Sequence, residues 1–234
     1  MQLTSEIIEL TCPESDIYNR LSLDNKHILE LGCGSAVKTR DIAKTGVKRQ
    51  VTALEVDEIA HKKNMQISDL PNVKFVLAGA QDIPLEDESV DAVFMFKSLH
   101  HVPADLMEPS MHEIRRVLKP GGLAYISEPV FAGEYNEILR LFHDEQKVRE
   151  QAFNTLTKVV SEGLFSLLEE TFFYTPVHFE DFTAFENDTI KVTYGDYRMD
   201  DDLYNLVRQR FGLHMGDDGA HFKHPVRVDL LQKP

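Results

Sequence analysis

The chain is poor in cysteine, has no long apolar run and carries too little positive charge to hold a polyanion. Two cysteines among 234 residues cannot build a disulfide framework, and they fit a reducing compartment. No apolar run approaches the roughly 18 residues that cross a bilayer. The opening MQLTSEIIELTCPESD is acidic and lacks the basic-then-apolar order of a secretory leader. These shortages predict a cytoplasmic protein with no membrane partner. Lys and Arg number 25 against 39 Asp and Glu, a formal charge of −14. An excess of that sign repels a phosphate backbone, so nucleic acid is not an expected partner. The acidity is spread, −6 over residues 1–130 and −8 over 131–234, and hides no basic arm.

What is present is a globular composition, 42% hydrophobic, in a chain long enough to bury roughly 70–75% of its unfolded surface. Short, nearly continuous apolar runs recur at His27–Leu31, residues 51–55, Val73–Leu77, Val90–Phe96 and residues 122–127. Runs of that kind read as strands covered on both faces. Helix-period segments separate them at residues 36–44, 58–68 and 110–118. The last opens on Ser110-x-x-Glu113, a capping-box pattern, and ends at Lys119-Pro120-Gly121-Gly122. Strand–helix alternation at this spacing predicts an α/β, doubly wound fold with a mostly parallel sheet.

Beyond residue 129 the character changes. Residues 134–171 hold one glycine, no proline and repeated i, i+3/i+4 apolar spacing, which predicts two helices with a break at Gly163. An extended run at 189–194, a helix over 201–211 and a strand-like run at 226–231 complete the chain. The helix opens on Asp200, Asp201 and Asp202 and ends at Arg208, Arg210 and Gly212, as the helix dipole favours. The organisation expected is an α/β core over 1–131, a helical lid over 132–178, and C-terminal strands and a helix over 179–234 that finish the same sheet.

The chemistry concentrates where the first strand ends, at Glu30-Leu31-Gly32-Cys33-Gly34-Ser35. Two glycines let the backbone turn sharply and leave no side chain between it and a ligand. Glu55 closes the second strand, 21 residues past Gly34, where a carboxylate accepts ribose hydroxyls. A bare glycine turn with a capping acid is the alternative, but turn, helix and acid fall in the order of a nucleotide site. Cys33 reads as small filler between glycines, with no basic neighbour in sequence to activate its thiol. The sixth position of G-x-G-x-x-G is Val37, whose branched side chain suits a ligand without a diphosphate.

These segments, with residues 72–84 (NVKFVLAGAQDIP), 90–102 (VDAVFMFKSLHHV) and 113–127 (EIRRVLKPGGLAYIS), resemble the successive motifs of class I S-adenosylmethionine-dependent methyltransferases, most closely the small-molecule branch. The resemblance covers residues 15–130. It implies a seven-stranded sheet with an antiparallel edge hairpin, for which 189–194 and 226–231 are the candidate strands. It further implies S-adenosyl-L-methionine as cofactor, S-adenosyl-L-homocysteine as product and a small-molecule methyl acceptor as partner. Carried over by position, Gly32, Cys33 and Gly34 approach the methionyl group, and Glu30 holds the loop and, through water, the amino group. Glu55 binds the ribose, Val56 packs on the adenine, and the backbone of Lys97 contacts the methionyl moiety. The family often has an aspartate where Gly79 stands; adenine recognition would fall to the backbone of Ala80, with Gln81 or Asp82 as substitutes. Ala36 replaces a third small residue.

Methyl transfer from a sulfonium needs mainly positioning, and a base only when the acceptor carries a proton. The candidates for that role are His100, His101 and Glu128, each with a plain reading as a pocket or loop residue. The lid offers Tyr135, Phe142, His143, Phe172, Phe173 and Tyr174, of which Tyr135 and His143 have polar tips suited to a pocket wall; its acidity suits a neutral or cationic acceptor. His221-x-x-His224 beside Asp217 and Asp218 has metal-ligand residue types in a glycine-flanked segment and reads as a solvated turn, so no metal is expected. Lys38, Arg40, Lys44, Lys48 and Arg49 read as a solvated helix face. Two rival functions remain: a non-catalytic member that binds cofactor or a protein partner, favoured by Gly79, and a nicotinamide-dependent oxidoreductase, which Val37 opposes.

Overall fold

The computed structural model describes residues 1–192 and 197–234. Five strands and the helices between them alternate: β1 (His27–Leu31), α2 (Val37–Lys44), β2 (Gln50–Glu55), α3 (Glu58–Asn64), β3 (Val73–Leu77), β4 (Val90–Phe96), α4 (Ala104–Val117) and β5 (Leu118–Pro129), with a short α1 (Ser15–Tyr18) ahead of them. There follow α5 (Glu134–Leu139), α6 (Gln146–Ser161), β6 (Ser166–Phe179), α7 (Phe182–Phe185), α8 (Asp201–Gly212), β7 (Met215–Gly216) and β8 (Gly219–Gln232). The main sheet runs β3-β2-β1-β4-β5-β8-β6, with β7 paired to β8. β1 to β5 are parallel; β8 is antiparallel to both β5 and β6. The chain order reverses between β1 and β4, and in such a sheet ligands sit in the crevice at the carboxyl ends of the strands beside that reversal.

The apolar runs are continuous because both faces are covered. Leu29, Leu31, Val93, Met95 and Ile126 point to one face, against Met107, Met111 and Ile114 of α4 and Ala152, Leu156 and Val159 of α6. Ile28, Phe94, Tyr125 and Val228 point to the other, with Tyr18 and Ile42. A third apolar cluster stands apart: Tyr135, Ile138, Phe179, Phe185, Val207, Phe211 and Phe222. It forms because β6 and β8 outgrow the parallel sheet. Residues 220–225 of β8 pair with 174–179 of β6 beyond the end of β5, and α5, α7 and α8 pack on that free half of the hairpin.

Three expectations are corrected. Residues 166–171 are strand, not helix, and residue 178 falls inside β6; their local helix propensity yields to thirteen residue pairs with β8. Consequently β6, and not 189–194, partners residues 226–231. Thr189 and Ile190 lie in a π-helical turn, Glu186–Ile190, while 193 and 194 lie outside the described residues. Finally, Ser110 does not cap a helix. α4 begins at Ala104 and runs through Pro109, the Ser110 hydroxyl donates back to the Leu106 carbonyl (2.7 Å), and Glu113 accepts from the Ile83 N–H (3.0 Å) and holds Arg116. Pro109 sits close enough to the helix start to forfeit only one backbone bond.

The outer edge of β6 is partly covered. Cys12 N–H donates to the Tyr174 carbonyl (3.0 Å) and Tyr174 N–H to Leu10 (2.8 Å), so the N-terminal segment blunts an edge that would otherwise offer unpaired groups.

Candidate active site

β1 delivers the chain into three left-handed residues, Gly32 (φ 71°), Gly34 (φ 53°) and Ala36 (φ 61°), before α2 starts. The two glycines are needed for different reasons. A Cβ on Gly32 would lie 2.8 Å from the Ser98 Cβ, where the loop after β4 crosses, pinned by the Ser98 hydroxyl on the Leu31 carbonyl (3.0 Å). A Cβ on Gly34 would meet nothing within 4 Å. Gly34 therefore faces open space, and Gly34→Ala is expected to cost only about 1 kcal/mol of stability, the left-handed penalty. Its cost should appear instead as weaker binding of S-adenosylhomocysteine in a calorimetric titration. Equal affinity for the variant would place the ligand elsewhere.

Glu55 reaches across this loop. Its Oε2 accepts from the Gly34 N–H (2.6 Å), and its Oε1 from Val56 and Asp57 (2.8 and 2.9 Å). A carboxylate offers about four acceptor sites, so one on Oε2 stays free for a hydroxyl donor at the loop mouth. Asn64 at the end of α3 braces the same loop, donating to the Gly34 carbonyl (2.8 Å). It has no motif around it and was not foreseen. Burial raises the Cys33 thiol far above its ordinary range, which fits filler between the glycines. Glu30 is buried beneath the loop with Thr39 donating to it (2.5 Å), and burial pushes its carboxyl up to about 7.

At the ends of β2 and β3, Val56 and Leu77 are exposed apolar side chains. Ala80 is buried. The Gln81 amide lies over Gly79, 2.3 Å from where a Cβ would stand. Lys97 is left-handed (φ 54°), and its N–H donates to the Ser127 carbonyl (2.7 Å). Its ammonium and that of Lys38 flank the buried Glu14 carboxylate at 3.6 and 3.4 Å, so Lys38 belongs to the loop's surroundings and not only to a solvated face. Val37 opens α2 with its side chain exposed, on the helix end that a diphosphate would approach.

A second group gathers after β4, on the 3₁₀ turn Leu99–His101. His100 is buried, its Nδ1 bonded to the buried Glu128, whose other oxygen accepts from the Leu99 N–H (2.9 Å). Burial pulls the His100 pKa down, but Glu128 and Glu145 prevail and raise it to about 9. Burial opposes ionisation of Glu128, and His100 outweighs it to hold the carboxyl below its usual range. A charged imidazole has no lone pair for a proton, which leaves His101, side chain half exposed and held below its ordinary pKa by burial and by His100. Glu145, ahead of α6, is the residue that sequence reading missed. Its Oε1 meets His143 Nε2 (2.8 Å), and its Oε2 accepts from Arg149 (2.6 Å). Asn136 of α5 holds Arg149 from the other side (3.0 Å).

His221 and His224 do not lie in a loop. They are three apart on β8 and so face opposite sides of the strand. His221 pairs with Asp218 (3.2 Å). His224 is buried against Tyr135, ring centroids 5.3 Å apart, and burial pushes its pKa down to about 3. Tyr135 belongs to the core of the third cluster, as Phe173 does to the sheet core.

Residues 29–126 match the family model described as a methyltransferase domain. Over 118 residues the chain is 35% identical to a sterol 4-C-methyltransferase of Caenorhabditis elegans, covering 49% of this chain and 34% of that protein. Over 127 residues it is 30% identical to the phthiotriol/phenolphthiotriol dimycocerosates methyltransferase 1 of Mycobacterium ulcerans, covering 49% and 46%. The chain thus spans less than half the length of these curated relatives. The YcgJ protein of Bacillus subtilis shares the fold, with a TM-score of 0.65 at 14% identity over 94% of this chain and 97% of that one. The glycine loop, the acid closing β2 and the order of the sheet agree with this match: residues 29–126 are similar to a methyltransferase domain.

Proposed function

We propose that the protein transfers a methyl group from S-adenosyl-L-methionine to a small molecule. The observation that carries the reading is the Glu55 carboxylate set across the mouth of an open Gly34, with one acceptor site to spare. The residues present fit the donor. Glu55 takes a ribose hydroxyl; Val56 and Leu77 give the adenine apolar walls; the backbone of Ala80 and the Gln81 amide recognise its edge. Gly32, Gly34 and Lys97 approach the methionyl group, over Glu30. Bound there, the donor supplies an electrophilic methyl on a sulfonium. The chain's own part is to hold acceptor and methyl in line and to exclude water, which accounts for most of such an acceleration.

The acceptor would meet the methyl between the ends of β4 and β5 and the cap of α5, α7 and α8. His101 is the side chain there able to take a proton from a hydroxyl or carbon acid, while His100 and Glu128 hold the turn that presents it. The named relatives act on a sterol and on phthiotriol lipids, and their acceptors support a small-molecule class here. Among the described residues no helix is long and apolar enough to cross a membrane.

Calorimetric titration with S-adenosylmethionine and S-adenosylhomocysteine tests the donor site, and absence of heat at millimolar ligand would overturn it. Binding without transfer to any acceptor in a broad hydroxyl, amine and thiol panel would favour the non-catalytic reading. Gln81→Ala is expected to lower S-adenosylhomocysteine affinity by up to about tenfold, one hydrogen bond's worth. It should also erase discrimination against S-inosylhomocysteine, which lacks the adenine amino group.

A further inference from the structure

His100, His101 and Glu145 each bring one ligating atom to within 4.8 Å of the other two. Glu145 Oε1 lies 3.5 Å from His100 Nε2 and 4.0 Å from His101 Nδ1. Ligands about 2.0–2.2 Å from a tetrahedral metal stand about 3.3–3.6 Å apart; the His100–Glu145 edge matches, and the edges to His101 would close by up to about 1 Å on a cation. The fold brings the three together from two elements. The tight turn Leu99–His101 stacks the two rings at 4.1 Å, and the residue ahead of α6 supplies the carboxylate.

The surroundings are those of a ligand set. Glu128 takes the Nδ1 side of His100 and leaves Nε2 facing Glu145; a cation that displaces the Nε2 proton would have a carboxylate behind its histidine. Arg149 engages Glu145 through Oε2 alone and leaves Oε1 to serve as a single donor. His143 Nε2, 2.8 Å from Oε1, stands where a further nitrogen could join. We infer that His100, His101 and Glu145 form a binding site for one divalent transition-metal cation at the carboxyl end of β4. Two imidazoles and one carboxylate suit Fe(II), Mn(II), Co(II) or Zn(II) better than Mg(II), which prefers an all-oxygen shell. The side chains leave coordination positions open on the side of His101, whose ring is half exposed.

The site is independent of the donor assignment, a cation on His101 Nδ1 would replace that residue's service as a base, and the test reads the metal alone. Full-length protein stripped with a chelator and dialysed against Co(II), Mn(II) or Zn(II) should retain one equivalent of at least one of them, and Co(II) should give a visible ligand-field band. His101→Gln and Glu145→Gln should abolish stoichiometric retention, and Glu128→Gln should weaken it by about 10–100-fold. His221→Gln, on the other histidine pair, should leave it intact. His101 is exposed, so its variant keeps the fold, and a melt by circular dichroism verifies each protein. Absence of retention at micromolar metal, or retention indifferent to His101→Gln, would overturn the site. Failure of S-adenosylhomocysteine binding in the same samples would bear on the methyltransferase reading and not on this one.

Discussion

Glu55→Ala should weaken binding of S-adenosylhomocysteine by about 1.5–3 kcal/mol, the cost of losing hydrogen bonds to a charged acceptor, or about 10–150-fold in Kd. The carboxylate has two tasks. It receives three backbone N–H groups from two loops, and under the proposed function its remaining acceptor site takes the ribose. The alanine variant loses both, so its melting temperature should fall along with its affinity. Glu55→Gln separates the tasks, because the amide oxygen still accepts from one loop while half of the acceptor capacity is gone. Calorimetry paired with thermal melts reads both. A variant that melts early but binds the ligand with native affinity would refute the ribose assignment and leave only the structural one.

Glu30→Gln should have a large effect of opposite sign on stability. Burial raises this carboxyl to about 7, against about 4.3 in an unfolded chain. Below pH 4 it is protonated in both states and the variant gains nothing. Between pH 4.3 and 7 the folded state holds a proton that the unfolded state has released, so stability declines across that window and stays lower above it. An amide keeps the Thr39 hydrogen bond without the penalty. Glu30→Gln is therefore expected to be more stable by about 3–4 kcal/mol at pH 8, and equal to the parent at pH 4. Denaturant unfolding at the two pH values measures this, and an advantage of equal size at both would sink the argument. If the carboxylate serves the donor's ammonium, the stabilised variant should bind S-adenosylmethionine less well, as happens where a strained charge is kept for function.

The parallel half of the fold was legible because its signals are local. β1, β3 and β4 stand at the residues where apolar runs bounded by turns placed them, and the glycine loop and Glu55 are a short-range pattern. The C-terminal half was not. Residues 166–171 carry Leu and Glu in a spacing that serves a helix, and only the presence of β8 alongside makes them a strand. α4 was read from a capping pattern at Ser110, whereas the helix starts six residues earlier and tolerates Pro109. The site divides in the same way. His100, His101 and Glu128 fall in recognisable motifs, but Glu145, Asn64 and Glu14 sit in unremarkable stretches and reach the site only through packing. No periodicity announces a carboxylate that is brought in by the start of a helix 44 residues downstream of the histidine it faces.

The hairpin of β6 and β8 binds two apolar masses that share few side chains. Its lower half is interior to the sheet, and its upper half carries the aromatic cluster above the crevice. Substitutions over residues 180–192 and 197–214 therefore fall on the covering mass without disturbing strand order or the glycine turn. Descendants of such a protein can diverge in what the cap encloses while inheriting an unaltered first loop.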